Sequence, residues 1–282
     1  MSTALYTYSG TGNSLHVARE LQKRLPDSHL LPMVRLLREE RVVTTADTIG
    51  LVFPNFCMTV PIPVHDFLSR VDLASADYLF AVSTRGGTTS VAFRIINEAL
   101  GKQDLRLDAQ LDITMPWNHP MGEDLPATAT PERIAQLEAE MQVKLDRFCE
   151  RVRAREPFVV DDTDADFVVP GWAKAMDALV PRSLNYKLHR YMYQNRVHFY
   201  ADSTCNSCGI CEKVCLSEKI LLVDERPARR PEAKCYACFA CINFCPRQAI
   251  QIRSRFPVKS RTPETARYHH PSVTYMDIAW QR

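Results

Sequence analysis

The chain has 282 residues, of which 46% are hydrophobic and 24% are charged, and its formal net charge is +2 at pH 7. This composition is typical of a globular protein with about two domains, and it excludes a largely disordered chain. The charge is too small to indicate a nucleic-acid partner, and no apolar run approaches the ~20 residues that a membrane span needs. The opening residues lack the basic and apolar regions of a secretory signal, so we expect a reducing, cytoplasmic compartment.

The first predicted strand leads into a small polar loop. Apolar residues Ala4 to Tyr8 precede the loop, and an amphipathic helix is predicted from Leu15 to Leu25. The loop consists of Ser9, Gly10, Thr11, Gly12, Asn13 and Ser14. Free N–H groups at a helix start, together with hydroxyl groups, suit a phosphate dianion. The loop lacks the motifs of nucleoside triphosphatases and of dinucleotide-binding proteins, and from the residues alone a simple tight turn is equally open.

The same order of strand, loop and helix recurs along the next hundred residues. Strands are predicted at 48–53, 78–83 and 110–115, and helices at 63–67, 90–100 and 131–155. Four such units predict a parallel, doubly wound α/β sheet. Ligands of this architecture bind beyond the carboxyl ends of the strands, where the loops gather.

A less regular segment, residues 156–200, separates this region from the last third of the chain. It opens with an acidic stretch at 161–166 and then gives two predicted helices, at 172–179 and 183–194. The second helix is aromatic and basic, so we expect it to pack domains together, with a solvated linker helix as the alternative.

Eight of the ten cysteines form two copies of one spacing. The two runs, each C-x2-C-x2-C-x3-C, comprise Cys205, Cys208, Cys211 and Cys215, and then Cys235, Cys238, Cys241 and Cys245. This spacing is typical of proteins with two [4Fe–4S] clusters, in which the fourth cysteine of each run binds the other cluster. We therefore predict that Cys245 completes the first cluster and Cys215 the second.

Structural zinc and a disulfide framework are the alternatives for these cysteines. Zinc sites use cysteine pairs that are separated by a longer finger, whereas three cysteines at consecutive x2 spacings would crowd a tetrahedral ion. A chain of this length needs no disulfides for a stable core.

Segments 220–223 and 250–252 each begin five residues after the last cysteine of a run and are predicted to be short strands. The remaining cysteines, Cys57 and Cys149, are expected to be buried thiols without a catalytic role.

Several segments together resemble a known family. The loop at 9–14 looks like the phosphate loop of flavodoxins, and the chain is similar to the family that fuses an N-terminal flavodoxin domain to a two-cluster ferredoxin. The resemblance includes both cysteine runs and four further segments, which are 53–56, 86–87, 115–118 and 267–271.

The resemblance implies an FMN cofactor, with its phosphate on residues 9–14 and its ring between three other loops. The residues implied for the ring are Pro54, Asn55, Phe56, Thr84, Arg85, Gly86, Gly87, Trp117 and Asn118. The implied domains are a flavodoxin-like domain at 1–158, a helical linker at 159–198, a small α+β ferredoxin domain at 199–255 and a tail at 256–282 that packs back on them.

This reading predicts a protein that relays electrons between FMN and two [4Fe–4S] clusters, and on to or from a partner redox enzyme. The alternative is a flavin-dependent reductase of a small organic substrate, fed by its own clusters. No nucleophile–base pair stands out beside the loops, so no catalytic residue is predicted.

Some positions depart from the family pattern. Met58 stands where an aromatic ring partner is usual, which leaves Phe56 as the expected one. A charged Arg85 precedes the two glycines, either beside the flavin or as a solvated surface residue. Trp117 covers either the flavin or the sheet.

Leu216 replaces the proline that usually follows the fourth cysteine, which frees one backbone N–H. His269 and His270 lie either at the flavin–cluster boundary or on the surface.

Overall fold

A computed structural model describes residues 2–56, 59–86, 91–119, 130–159, 191, 197–254 and 266–282 of the protein. The strands in these residues are β1 (Thr3–Thr7), β2 (Ser28–Pro32), β3 (Val42–Val43), β4 (Thr48–Pro54), β5 (Val71–Asp72), β6 (Tyr78–Arg85), β7 (Ala109–Thr114), β8 (Phe158–Val159), β9 (Val197–Ala201), β10 (Ile220–Val223), β11 (Arg226–Arg229) and β12 (Ile250–Ser254). The helices are α1 (Asn13–Arg24), α2 (Met33–Leu36), α3 (Ile62–Leu68), α4 (Ala92–Leu100), α5 (Pro131–Ala154), α6 (Ile210–Lys213), α7 (Ala240–Asn243) and α8 (Tyr275–Ala279).

A six-stranded sheet forms the centre of the first part of the chain. Its strand order is β2-β1-β4-β6-β7-β8, and every neighbouring pair is parallel. Apart from the short edge strand β8, this is the order of flavodoxin-like sheets. The chain runs from β1 out to the edge strand β2 and then back past β1 to β4, so the strand order reverses between β1 and β4. The predicted flavodoxin-like α/β fold is confirmed. The loop that follows β1 lies at the position where such sheets bind their ligands.

Helices cover both faces of the sheet. On one face, α5 buries Leu137, Met141, Leu145, Phe148 and Val152, which recur every three or four residues and so form one apolar stripe. Each side chain of this size contributes about 1.5–3 kcal/mol when it is fully buried. On the other face, α3 and α4 pack against a second core.

Strand β4 shows how tightly the sheet is packed. Every one of its residues is buried, and a Cβ atom at Gly50 would lie well under 3.0 Å from the Phe80 ring and 2.8 Å from Leu5 Cδ2. Only a glycine leaves room for the Phe80 ring at this point of the sheet.

Replacing Gly50 by alanine is therefore expected to lower the free energy of unfolding by about 1–3 kcal/mol, because the extra methyl group overpacks a filled core. Chemical denaturation of the two proteins measures the difference. Gly101→Ala is the matched control, since a Cβ there meets nothing within 4 Å. Equal destabilisation in the two variants would contradict this account of the core.

The last third of the chain repeats its backbone as well as its cysteines. Positive φ angles occur at three pairs of residues that are 30 positions apart: Ser207 and Ala237, Gly209 and Phe239, and Glu218 and Gln248. Gly209 directly precedes helix α6, and Phe239 directly precedes helix α7. Strand β10 pairs with β11 and β12 pairs with β9, both antiparallel. The predicted strands at 220–223 and 250–252 are confirmed.

The last described segment, residues 266–282, packs back onto the rest of the protein. Val273 and Ile278 belong to the same buried core as Tyr8 and Leu15 of the sheet region and Phe244 of the cysteine region. Helix α8 is capped by Thr274, whose hydroxyl accepts from the Asp277 N–H in a reciprocal capping box. The three regions therefore share one apolar core.

Sequence patterns missed some elements. Strand β2 was not predicted, because its residues are only half buried and show no alternation of polar and apolar side chains. Helix α1 begins at Asn13, two residues before the predicted start. The helices predicted at 172–179 and 183–194 fall outside the described residues, except that Tyr191 is helical. No helix in the described part of the chain is long and apolar enough to cross a membrane.

Candidate functional site

The loop at 9–14 is buried and belongs to a hydrogen-bonded cluster of three loops. The Ser14 hydroxyl lies 2.7 Å from the Thr84 hydroxyl, and the Asn118 side-chain amide donates to the Thr11 hydroxyl. Asn13 donates to the Pro116 carbonyl at 3.1 Å. The loops that follow β1, β6 and β7 therefore meet at one point. This agrees with the prediction that the loops gather at the carboxyl ends of the parallel strands.

Helix α1 starts inside this cluster without a side-chain cap. Its N-cap is Gly12, in the left-handed region at φ 105°, and this residue makes no side-chain cap to the first N–H groups of the helix. The Ser9 hydroxyl accepts only the Gly12 N–H, at 3.1 Å. A buried helix start needs acceptors for its first N–H groups, and a phosphate group is one that fits.

The second loop carries a polar side chain without a partner. The Asn55 backbone N–H donates to the Thr84 carbonyl at 2.7 Å, which fixes the loop beside β6. Both polar atoms of the Asn55 carboxamide are buried, and neither has a hydrogen-bond partner in the part of the chain that the structure describes. Such a group is costly unless something satisfies it. Phe56 stands edge-on to Tyr8, with ring centroids 6.2 Å apart. Cys57 and Met58 lie outside the described residues.

The third loop corrects the surface interpretation of Arg85. Arg85 is only 4% exposed, because it is the last residue of β6 and lies within the sheet. The solvated alternative is therefore wrong. A Cβ atom at Gly86 would overlap the Trp117 ring, so the indole lies directly on this glycine. The Trp117 side chain covers the end of the sheet here, and Gly87 is outside the described residues.

The eight cysteines of the two runs line two separate cavities. Cys205, Cys208, Cys211 and Cys245 line one cavity, and Cys215, Cys235, Cys238 and Cys241 line the other. Each cavity thus contains three cysteines of one run and the last cysteine of the other run. Burial raises the pKa of Cys211 and Cys238 to about 12 each. A metal ion or cluster would have to displace these protons, as coordination of a thiol does.

Backbone N–H groups reach several of the sulfur atoms. Ala237 N–H donates to Cys235 Sγ at 3.4 Å, and Ala249 N–H donates to Cys245 Sγ at 3.2 Å. Bonds of this kind tune a bound cluster. The N–H that Leu216 retains in place of a proline donates to the Val214 carbonyl at 3.0 Å, so it does not serve a sulfur atom.

The second cysteine cavity touches the loop at 9–14. A Cβ atom at Gly10 would lie 2.7 Å from Cys238 Cβ and 2.8 Å from the Cys238 carbonyl oxygen. Tyr8, fully buried just before the loop, stands edge-on to Tyr236 with ring centroids 6.4 Å apart. The glycine at position 10 is what allows this contact.

The C-terminal segment closes over the loop from the other side. Gln281 accepts from the Ser9 N–H at 2.8 Å and donates to the Ser9 carbonyl at 2.9 Å. The His270 N–H donates to the Thr11 carbonyl at 2.8 Å, and the Tyr268 hydroxyl lies 3.3 Å from Asn13 Oδ1. No sequence pattern pointed to Gln281, since its partner lies at the other end of the chain.

The two histidines of this segment differ in environment. His270 is 4% exposed, so the surface alternative is wrong for it, because the segment folds over helix α1 and buries the ring. His269 stacks on Phe244 with ring centroids 4.3 Å apart. Cys149, as predicted, is buried: it lies on the face of α5 that packs into the core.

Comparisons with known proteins add little. No family model and no curated protein matches the chain. Among solved structures, the chain is similar to the rubredoxin:oxygen oxidoreductase of the anaerobe Desulfovibrio gigas, with a TM-score of 0.32 and 12% identity, over 55% of this chain and 36% of that one. It is also similar to a Bacteroides uniformis protein described as a flavoprotein, with a TM-score of 0.30 and 13% identity, over 49% of this chain and 96% of that one. The fold class therefore rests on the strand order.

Proposed function

We propose that the protein relays electrons between an FMN and two [4Fe–4S] clusters, and on to or from a partner redox protein. The observation that carries this proposal is the contact between Gly10 and Cys238, which joins the loop at 9–14 to a cavity lined by four cysteines. Two redox sites in direct contact exchange electrons with each other more readily than with solvent. Membership of the flavodoxin–ferredoxin fusion family, and its domain boundaries at 158, 198 and 255, belong to the same proposal.

The two cavities would hold the clusters with crossed ligation. Four cysteine thiolates per cavity match the requirement of a cubane cluster, and the grouping in space follows the sequence rule for two-cluster ferredoxins. Apolar side chains such as Phe199, Ile242 and Ile252 surround them and would keep water away.

The loops around β1, β4, β6 and β7 would hold FMN. Three features support the fit: the uncapped start of α1, the hydroxyls of Ser9, Thr11, Ser14 and Thr84 around it, and the unsatisfied Asn55 carboxamide. The helix start and hydroxyls would bind the phosphate, and Asn55 would orient the ring. When bound, FMN exchanges one or two electrons whereas each cluster exchanges one, which supplies the conversion that a relay needs.

A direct test uses the protein purified and reconstituted without oxygen. We expect the released chromophore to be FMN by mass, both clusters to be reducible, and steady turnover with protein carriers and redox dyes only. Rapid reduction of a small organic compound would instead favour the flavin-dependent reductase. Clusters that accept no electrons, or the absence of FMN even after reconstitution, would overturn the relay.

Arg267 provides a prediction about cluster potentials. Its Nη2 donates to the Ile250 carbonyl at 3.4 Å and to Gln251 Oε1 at 3.2 Å, while Nε and Nη1 are buried and have no hydrogen-bond partner among the described residues. Its charge acts on Cys245, a ligand of the first proposed cluster, and on Cys241, a ligand of the second. A buried cation favours the reduced, more negative cluster.

Arg267→Gln is therefore expected to lower both cluster potentials by an amount on the order of tens of millivolts. Redox titration followed by electron paramagnetic resonance measures the shift. Arg253→Gln removes an equal but exposed charge and should change the potentials much less, because solvent screens it. Equal shifts in both variants would contradict a specific role for Arg267.

A further inference from the structure

Tyr8, the residue before the loop at 9–14, packs against both proposed cofactor regions. Its ring is fully buried. It stands edge-on to Phe56, in the loop after β4, with ring centroids 6.2 Å apart. It also stands edge-on to Tyr236, which lines the second cysteine cavity, with ring centroids 6.4 Å apart. One side chain thus joins the loops of the sheet to the second cysteine cavity.

The Tyr8 hydroxyl is buried, and among the described residues it has no hydrogen-bond partner of ordinary geometry. A buried hydroxyl without a partner is costly, so folded proteins rarely contain one without a reason. A phenylalanine at this position would fill the same space without that cost. The hydroxyl therefore points to an acceptor that becomes available when the neighbouring site is occupied.

Cys238 is the residue that can supply this acceptor. It packs in the same core as Tyr8, and a Cβ atom at Gly10, two positions after Tyr8, would lie 2.7 Å from Cys238 Cβ. A protonated thiol is a weak hydrogen-bond acceptor, whereas a thiolate is a strong one. A sulfur atom that has lost its proton to coordination would therefore satisfy the hydroxyl, although a free thiol does not.

The interaction between the two side chains has the sign that this arrangement requires. Burial raises the pKa of both Tyr8 and Cys238. Their side-chain contact raises the pKa of Tyr8 further, and it lowers the pKa of Cys238 against the effect of burial. Opposite shifts of this kind arise when a phenol O–H donates to a thiolate, because the hydrogen bond stabilises the neutral phenol and the charged sulfur. Tyr8 is therefore the donor and Cys238 Sγ the acceptor.

We propose that Tyr8 is a positioning residue of the second proposed cluster: its hydroxyl donates a hydrogen bond to cluster-bound Cys238 Sγ and so favours the reduced cluster. The inference rests on the proposed function, because it takes the second cavity as a cluster site. A reduced cluster carries one more negative charge, part of which lies on its sulfur ligands, and a more negative acceptor forms a stronger hydrogen bond. The bond thus raises the potential of the cluster that touches the loop at 9–14.

Tyr8→Phe removes the hydroxyl and keeps the ring. We expect the one-electron reduction equilibrium of the second cluster to shift roughly three- to tenfold towards the oxidised form, a fall of about 30–60 mV, while the first cluster keeps its potential. Redox titration of the protein with its own cofactors, followed by electron paramagnetic resonance, measures both potentials. This selective shift differs from that of Arg267→Gln, which should lower both.

Cysteine variants identify which cluster responds. Cys245→Ala should leave only the second proposed cluster, so adding Tyr8→Phe should lower the remaining potential. Cys215→Ala should leave only the first, and there Tyr8→Phe should have no effect. Tyr6→Phe is the matched control, since Tyr6 is also buried two positions earlier, but its ring packs on Phe67 with centroids 4.8 Å apart. It should leave both potentials unchanged.

The outcomes separate this inference from the proposed function. A protein that assembles no cluster would overturn both. Two clusters with the same potentials in Tyr8→Phe as in the wild type, or a shift confined to the first cluster, would overturn the role of Tyr8 and leave the relay standing. Weaker FMN binding with unchanged cluster potentials would also overturn it, because the hydroxyl would then serve the flavin.

Discussion

Replacing Cys245 by alanine is expected to remove one cluster and spare the other, so that bound iron falls from about eight atoms per chain to about four. Cys245 lines the cavity of Cys205, Cys208 and Cys211, although it belongs to the other run. A cubane cluster with only three thiolates is readily lost. Iron analysis after purification without oxygen gives the number, and electron paramagnetic resonance of the reduced protein should show one remaining cluster.

Second substitutions identify which cluster is lost. Adding Cys208→Ala to Cys245→Ala should cost no further iron, since both residues line one cavity, whereas adding Cys238→Ala should remove nearly all of it. Cys149→Ala is the control, because this thiol lies on the core-facing side of α5 and is not among the residues that line either cavity. If the pair with Cys208 loses all its iron and the pair with Cys238 does not, ligation is not crossed.

The second large effect is expected at the contact between the two redox sites. Gly10→Ala would place a methyl group 2.7 Å from Cys238 Cβ and 2.8 Å from its carbonyl oxygen, and a backbone atom cannot rotate away. The loop at 9–14 and the cysteine turn must then separate. We expect a loss of about 1–3 kcal/mol in unfolding free energy, weaker FMN binding and slower electron transfer between flavin and clusters.

Denaturation, FMN titration and rapid-mixing reduction measure these three effects. Gly101→Ala serves again as the control and should change stability by no more than about 0.5 kcal/mol. Wild-type transfer rates in Gly10→Ala would show that electrons do not pass near this contact.

Local patterns predicted much of the fold and the cysteine sites. The x2 spacing grouped three cysteines of each run, and the rule that the fourth cysteine of a two-cluster ferredoxin run binds the other cluster supplied the last member of each cavity. Repeated strand, loop and helix units predicted the parallel, doubly wound sheet, whereas its strand order came from the structure. Strand β2 was not predicted, because a half-buried edge strand lacks a clear alternation of polar and apolar residues.

Contacts between residues that are far apart in the sequence could not be predicted from local patterns. His16 and Glu138 are 122 positions apart, and Ser9 and Gln281 are 272 positions apart, so no local pattern links either pair. The burial of Arg85 also depends on the length of β6. The apolar pattern predicted that this strand ends at Ser83, whereas in the structure it continues to Arg85. Sequence periodicity reports which face is buried, but packing between distant segments decides which polar groups meet.

The most direct test of the relay is a joint count of iron, acid-labile sulfide and FMN in protein purified without oxygen. The account predicts about eight iron atoms, about eight sulfides and one FMN per chain, with four cysteines for each cluster. About two zinc ions per chain without sulfide, or eight iron atoms with no flavin bound even after reconstitution, would contradict it.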